Sequence, residues 1–252
     1  MIQLINLTKK FASLTAVDNL NLKIATGETF GFLGPNGAGK TTTIKMMVGL
    51  LKPTVGTVII GGRDISKEPL EVKKIIGYIP DRSFLYEKLT AREFLQFVAG
   101  IYGFTKKECS EKINRLLRLF GLEDWGDELI ESFSQGMRQR LVLSSALIHN
   151  PKVIIVDEPV VGLDPKGSRL VKTLFKNLTH AGVTIFLSTH VLEIAEELCD
   201  RIAIIQEGKV IASGTMEELQ NKGDEGLESL FLRLTGGEGV SESLAALNLR
   251  VP

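Results

Sequence analysis

Short apolar runs alternate along this chain with stretches whose apolar residues recur at helical spacing. This alternation is typical of a largely parallel α/β sheet, because parallel strands are joined by crossovers that are usually helices. The first few strands and the last two have the short connections of hairpins, with turn residues at Ala25–Glu28 and Glu207–Gly208. The predicted strands are Ile2–Leu7, Leu20–Ile24, Thr29–Leu33, Thr57–Ile60, Ile75–Ile79, Val153–Val156, Val183–Leu187, Ile202–Gln206 and Lys209–Ala212.

Helical periodicity replaces the strand pattern between about residues 83 and 150. The predicted helices span Ala91–Tyr102, Lys106–Phe120 and Ser134–His149. Four apolar residues of the second helix fall on one face and predict packing against the rest of the protein. They are Ile113, Leu116, Leu117 and Phe120.

This change of pattern predicts how the chain is divided. We expect a main unit of residues 1–220, in which an all-helical block (83–150) is inserted into an α/β core (1–82 and 151–220). After Gly214 the chain becomes polar, and Thr235–Gly239 has the composition of a flexible linker. Residues 221–252 are therefore predicted to form a short C-terminal extension.

Composition limits the classes of function. The 252 residues include 30 Lys and Arg and 30 Asp and Glu, so the formal net charge is zero and no overall basic field favours nucleic acid. No apolar run approaches the roughly 18 residues of a membrane span, and no signal pattern opens the chain, so we expect a cytoplasmic protein. Cys109 and Cys199 match no metal or redox spacing and are interpreted as reduced thiols.

The most specific motif lies where the strand Thr29–Leu33 meets a helix predicted to start at Lys40. Its residues, Gly34-Pro35-Asn36-Gly37-Ala38-Gly39-Lys40-Thr41, match the phosphate-binding P-loop. The glycines let backbone N–H groups point at a polyphosphate, and the helix adds the positive end of its dipole. We expect Lys40 to reach the β- and γ-phosphates and the Thr41 hydroxyl to hold Mg²⁺.

Two carboxylates follow the buried strand Val153–Val156. Asp157 is expected to support Mg²⁺ through Thr41 and bound water, and Glu158 to orient the attacking water. The alternative is an apolar strand that ends in a solvated acidic loop. Because the carboxyl ends of parallel strands meet where ligands gather, the P-loop favours the functional interpretation.

Two further candidates are weaker when taken alone. His190, at the end of a predicted strand, can donate a hydrogen bond to a γ-phosphate oxygen, although a lone histidine is more often structural. Ser134 is predicted to cap a helix whose first N–H groups are free to bind an anion, although a plain capped helix has the same pattern.

From about Leu4 to Leu219 the chain resembles the nucleotide-binding subunit of an ATP-binding cassette (ABC) transporter. Five motifs carry the resemblance in the family's order and spacing. They are the P-loop Gly34–Thr41, the signature Phe133–Met137, the Walker B strand Val153–Asp157 with Glu158, the D-loop Gly162–Pro165 and the switch residue His190. The resemblance implies a P-loop NTPase fold, with a RecA-like parallel core, an antiparallel β subdomain and an inserted all-helical subdomain.

The resemblance also implies a mechanism and its residues. It implies an ATPase that uses ATP and Mg²⁺, with Phe11 stacking on adenine and catalysis by Lys40, Glu158 and His190. The implied metal-binding residues are Thr41, Asp81 and Asp157. The implied nucleotide-binding residues are Phe11, Gly34, Pro35, Asn36, Gly37, Ala38, Gly39, Lys40, Thr41, Thr42, Asp81, Ser134, Gly136, Asp157 and Asp164.

Partners follow from the same resemblance. Ser134 and Gly136 would meet the ATP of a second nucleotide-binding subunit, either identical or a close relative, and we expect no nucleic acid partner. Transport would need a separate transmembrane permease, so the chain would lie on the inner face of the cell membrane. In the family the docking groove lies near Asp81–Leu89, where Phe84, Leu85 and Tyr86 are the candidate contacts or, alternatively, local core.

Some positions depart from the common family pattern. Phe133, Gln135 and Met137 replace residues of the usual Leu-Ser-Gly-Gly-Gln signature, and Val160-Val161 precede the D-loop. Asp81 stands where the family usually has Gln, and its shorter side chain suggests contact with the metal through water; alternatively, it only caps a turn. The signature variant, Asp81 and the tail Leu227–Gly236 together resemble the branch that exports drugs, polysaccharides or ions.

Two other classes of protein share the P-loop. A soluble ABC protein that acts on ribosomes or DNA would usually carry two cassettes or long coiled-coil insertions, and this chain has one cassette and no sustained heptads. A small-molecule kinase would have no use for the signature or for His190. The ATPase subunit of an exporter is therefore the favoured prediction.

Overall fold

The computed structural model describes residues 1–82, 84–158, 163–220 and 226–236. The strands there are β1 (Ile2–Phe11), β2 (Leu14–Ile24), β3 (Thr29–Leu33), β4 (Val55–Ile60), β5 (Arg63–Asp64), β6 (Ile76–Ile79), β7 (Val153–Asp157), β8 (Thr184–Thr189), β9 (Arg201–Gln206) and β10 (Lys209–Thr215). The helices are α1 (Lys40–Met47), α2 (Pro69–Lys73), α3 (Ala91–Ile101), α4 (Lys106–Leu119), α5 (Gln135–Leu147), α6 (Pro165–His180), α7 (Leu192–Leu198), α8 (Met216–Gln220) and α9 (Leu227–Thr235).

The central sheet has the strand order β10-β9-β3-β8-β7-β6. The five strands from β9 to β6 are parallel, and β10 closes one edge as the antiparallel partner of β9. Every residue of β3, β7 and β8 is buried, which explains their nearly continuous apolar runs. The carboxyl ends of these three strands meet at one edge, with β8 between β3 and β7.

A second, antiparallel sheet has the order β2-β1-β4-β5. The predictions Ile2–Leu7 and Leu20–Ile24 are too short, because β1 continues to Phe11 and β2 begins at Leu14. Register shifts along this pair interrupt the alternation of apolar and polar residues on which the prediction depended. The turn at Ala25–Glu28 carries the chain from one sheet to the other, so β2 and β3 do not form a hairpin.

The helices between β6 and β7 start and end within two residues of their predicted bounds. The predicted apolar stripe of α4, including Ile113 and Leu117, is buried. One continuous buried cluster joins these helices to the face of the central sheet that carries Leu33 and Ile154. The helical block is therefore fixed to the core by apolar packing.

The predicted C-terminal extension is described only in part. Within it, α9 contacts α7 and α8, and its Leu227 and Leu230 are buried. The proposed boundaries at residues 82/83, 150/151 and 220/221 stay predictions. In the parts of the chain that the structure describes, no helix is both long enough and apolar enough to cross a bilayer.

Candidate nucleotide site

The P-loop connects β3 to α1, and at some of its positions the backbone conformation or a close contact allows only glycine. Gly39 has φ +107°, and a Cβ there would lie 2.5 Å from the carbonyl oxygen of Ala16. A Cβ on Gly34 would lie 2.4 Å from the carbonyl oxygen of Ile205. The start of α1 has no side-chain cap and no acidic residue in its first turn. Its N–H groups and the positive end of the helix dipole are therefore free for an anion.

Lys40 is buried beneath this loop. Its Nζ donates hydrogen bonds to the carbonyl oxygens of Gly34, at 2.7 Å, and Pro35, at 3.2 Å. Burial lowers the pKa of Lys40, and the nearby charges of Glu158 and Asp157 partly oppose that shift. The ammonium has a third hydrogen to donate, so it can hold the loop closed and also bind a phosphate oxygen.

Asp157 ends β7 almost completely buried, with 1% of its surface exposed. The Thr41 hydroxyl donates to its Oδ2 at 2.9 Å, and the Ser188 hydroxyl donates to its Oδ1. Within the described residues no cluster of three or more His, Cys, Asp or Glu could hold a metal by itself. One hydroxyl and one carboxylate fit Mg²⁺ when phosphate and water oxygens complete the coordination.

Glu158 has a left-handed backbone conformation, with φ 56°. Such a conformation costs about 1–3 kcal/mol for a residue other than glycine, and it tends to occur at functional sites. The Glu158 N–H donates to the carbonyl oxygen of Ser188 at 3.1 Å. The His190 Nδ1 donates to Oε1 of Glu158 at 2.8 Å, and the Thr189 hydroxyl donates to Oε2 at 3.3 Å. The end of β8 therefore fixes the carboxylate of Glu158.

These groups surround one cleft of about 460 Å³. Phe11 stands at its rim, 44% exposed, with the Lys9 ammonium 5.0 Å from its ring centroid. An exposed aromatic ring at this place can stack on a flat base. Leu14 and Ala16 also line the cleft, and the sequence analysis missed them; the pairing of Leu14 with Phe11 across the β1–β2 turn is the signal that would have indicated them. The lining residues are Phe11, Leu14, Ala16, Asn36, Gly37, Gly39, Lys40, Thr41, Thr42, Asp81, Asp157, Glu158 and His190.

Other predicted residues lie outside this cleft. Ser134 caps α5, where it accepts from the N–H of Met137 at 3.3 Å, and Gly136 follows in the first turn. Asp164 caps α6 by accepting from the N–H of Gly167 at 2.9 Å. Gly34, Pro35 and Ala38 shape the P-loop without lining the cleft. Positions 159–162, which include Val160, Val161 and the first D-loop residue, lie outside the described residues.

Residues 17–161 match the sequence model of the ABC transporter family. The chain is 43% identical over 250 residues to the uncharacterized ABC transporter ATP-binding protein YhcH of Bacillus subtilis, and the match covers 98% of this chain and 79% of that one. It is 40% identical over 219 residues to the linearmycin resistance ATP-binding protein LnrL of the same organism, with coverage of 87% and 70%.

A similar solved structure is a dimeric, post-hydrolysis state of an ATP-binding cassette bound to ADP and Pi. It superposes with a TM-score of 0.79 at 28% identity, covering 85% of this chain and 98% of that one. These matches confirm the predicted P-loop NTPase fold. The chain therefore belongs to the ABC transporter family, as an ATP-binding subunit whose cassette is an ATPase.

Proposed function

We propose that this chain is the ATP-hydrolysing subunit of an exporter and powers a separate transmembrane subunit from the inner face of the cell membrane. One observation supports it most: a single cleft collects a phosphate-binding loop, a buried carboxylate and a paired glutamate and histidine. LnrL, a resistance protein by name, supports the direction of transport. Asp81 and the tail that follows residue 226 support the same branch.

In this proposal each residue has a distinct chemical role. Lys40 and the N–H groups at the start of α1 bind the phosphates. Thr41 and Asp157 hold Mg²⁺, which when bound neutralises phosphate charge. Glu158 accepts a hydrogen bond from the attacking water and orients it toward the γ-phosphate. Because His190 donates to Glu158, it fixes the direction of that carboxylate and lies next to the same phosphate.

A second nucleotide-binding subunit completes the site in this proposal. Ser134 and Gly136 begin α5 outside the cleft of their own chain, and no acidic residue occupies the first turn of that helix. An anion presented by another subunit would complete this helix start. Since one chain carries all of these groups, two identical copies could form two sites.

A groove between the α/β core and the helical block supports docking of a membrane partner. It has a volume of about 290 Å³, and its lining includes Leu50, Tyr78, Val98, Tyr102 and His149. The His149 ring stacks on Tyr102 with the ring centroids 3.7 Å apart. Burial lowers the pKa of His149 to about 4, so its ring is uncharged at neutral pH, whereas Lys73 adds a positive charge to the lining.

Exposed apolar side chains occur in the segment that the family resemblance assigns to docking. Phe84 is 86% exposed and Tyr86 59% exposed, whereas Leu85 packs against the buried cluster. Exposed aromatic side chains of this kind are common in protein interfaces. We therefore assign Phe84 and Tyr86 to contact with the permease and Leu85 to local packing.

The test is co-purification from the cell membrane followed by reconstitution of the captured membrane protein in vesicles. We expect a protein with membrane spans that stimulates ATP hydrolysis by this chain. Phe84→Asp should abolish capture. Ile211→Asp should not, because Ile211 is exposed on β10, at the opposite edge of the central sheet. Equal capture by both variants would contradict the docking surface, and capture of no membrane-spanning protein would contradict the transport function.

A further inference from the structure

The turn between β9 and β10 packs against the P-loop from outside the nucleotide cleft. Its two residues, Glu207 and Gly208, both have positive φ, at 49° and 79°, as in the two-residue turns that join antiparallel strands. The Gly208 N–H donates to the carbonyl oxygen of Ala38 in the P-loop at 2.9 Å. The turn is therefore tied to the phosphate-binding backbone, although the two segments are far apart in sequence.

The same turn also holds strand β2. The N–H of Asp18 donates to the carbonyl oxygen of Gly208 at 2.9 Å. β2 carries Leu14 and Ala16, which line the nucleotide cleft, and Leu14 pairs with Phe11 at the rim. The turn therefore joins the loop that faces the phosphates to the strand pair that carries the candidate contact of the base.

A β-bulge in β2 brings the backbone of Ala16 into this junction. The pairing of β1 with β2 skips Ala16, so it is the extra residue of the bulge. A Cβ on Gly39 would lie 2.5 Å from the Ala16 carbonyl oxygen, and a Cβ on Gly208 would lie 2.9 Å from it. The Cβ on Gly208 would also lie 3.0 Å from the Cα of Val17. Because these neighbours of Gly208 are backbone atoms of β2, any larger residue there has to displace β2 rather than the P-loop.

We propose that Gly208 is a positioning residue for the nucleotide: the β9–β10 turn sets the distance between the P-loop, which binds the phosphates, and the strands that carry Phe11, which stacks on the base. A nucleotide touches both parts of the site, whereas inorganic tripolyphosphate touches only the phosphate-binding part. The turn therefore helps the site to select a nucleoside triphosphate over a bare polyphosphate. This inference rests on the proposed function, because ATP binding in this cleft is assigned there.

The first test compares Gly208→Ala with Gly62→Ala in the full chain. Gly62 is the second residue of the β4–β5 turn and has a similar conformation, with φ 80°, but a Cβ there would meet no described atom within 4 Å. Calorimetric titrations with ATP and with inorganic tripolyphosphate, each with Mg²⁺, measure the two affinities. We expect Gly208→Ala to weaken ATP binding about tenfold, the scale of one base-stacking contact, and tripolyphosphate binding by no more than about twofold. Gly62→Ala should leave both affinities unchanged.

Two results would overturn the proposal. Equal losses of ATP and tripolyphosphate affinity in Gly208→Ala would mean that the turn only shapes the P-loop. An unchanged ATP affinity would mean that the position of β2 does not matter for binding. If thermal melting shows that Gly208→Ala misfolds, Gly208→Asn replaces it, since asparagine adopts positive φ more readily and its Cβ makes the same contacts.

A double-mutant cycle tests whether the effect depends on the base contact. Phe11→Ala removes the ring that stacks on the base, so adding Gly208→Ala should cost little further ATP affinity. A loss of about tenfold in both backgrounds would contradict a role that depends on Phe11. These titrations use the chain alone, so their failure is distinguishable from failure to capture a membrane partner.

Discussion

Four helix starts of this molecule fall into two groups. At α3 and α4 a threonine caps the helix, and the carboxylate of a glutamate three residues later accepts a hydrogen bond from the backbone N–H of that threonine, as in a capping box. Neither α1 nor α5 has an acidic residue in its first turn. In the first group the cap and the acid satisfy two N–H groups and place a negative charge at the helix start, whereas the second has no such charge to compete with an anion.

The comparison shows that the residue three positions after the cap distinguishes a helix start that is completed within the chain from one that can bind an anion. Thr90 with Glu93 and Thr105 with Glu108 complete the pattern of a polar cap followed by an acid. Ser134 provides the cap of α5, but Met137 stands where the acid would be. Of the described α-helices, α6 also has no acid in its first turn, but its cap is itself a carboxylate, that of Asp164, so α1 and α5 are the ones that start without a negative charge. The family motifs assign both of these helix starts to phosphate. The absence of a carboxylate at this position therefore indicates anion binding better than the presence of a capping residue does.

The largest expected effect is on ATP turnover, when the nucleotide is trapped between the start of α1 and the start of α5 of another subunit. Glu158→Gln removes the charge that orients water and should reduce turnover a hundredfold or more while ATP still binds. Phosphate release measures turnover, and light scattering should detect a dimer with ATP and a monomer with ADP.

Glu196→Gln is the matched control, since Glu196 is an exposed carboxylate on α7 outside the cleft. Near-normal turnover of Glu158→Gln would refute the role of that carboxylate. A trapped variant that stays monomeric at high concentration would refute the homodimer.

A second substitution should give α5 the capping box that α3 and α4 have. Met137→Glu completes a capping box with Ser134 and puts a carboxylate where the phosphate of the other subunit would bind. We expect ATPase activity to fall about thirtyfold, the cost of roughly 2 kcal/mol of charge repulsion and lost helix N–H contacts.

Met137→Gln is the control, because it keeps the length of glutamate without its charge and should remain active. If Met137→Glu hydrolyses ATP as fast as Met137→Gln, the start of α5 does not bind a phosphate.

The smallest effect is expected for the reverse change at the start of α3, which has a capping box. Glu93→Met removes the acid of the α3 capping box and should lower the free energy of unfolding by about 1 kcal/mol. It should leave the ATPase rate unchanged, because Thr90 and Glu93 lie outside the cleft. Urea denaturation with a parallel activity assay makes the comparison; a loss of activity without a loss of stability would contradict the division into two groups.

The sequence alone was sufficient where the signal was local. The P-loop, the helices of the inserted block and the carboxylates at the end of β7 were predicted within a few residues, because each depends on neighbouring positions. The full lengths of β1 and β2 were not, since register shifts there break the alternation. Leu14 and Ala16 were missed because their place in the cleft depends on pairing across a turn.

The contacts within the site could not be predicted from the sequence for a different reason. Glu158 and His190 were each predicted to approach the γ-phosphate, but their direct hydrogen bond depends on β7 and β8 being neighbours in the sheet. Strand order is decided by packing of distant parts of the chain. The proposed role of Ser134 is further removed, because it would depend on another subunit.

The hydrogen bonds around Asp157 have a consequence for the folded protein when no nucleotide or cation is bound. Both carboxylate oxygens accept from hydroxyls of the chain itself, Thr41 and Ser188, although the side chain is buried. A buried charge that relied on a bound cation would make folding depend on ligand supply. Here hydroxyl groups of the chain itself satisfy the carboxylate, so its burial does not require a bound cation.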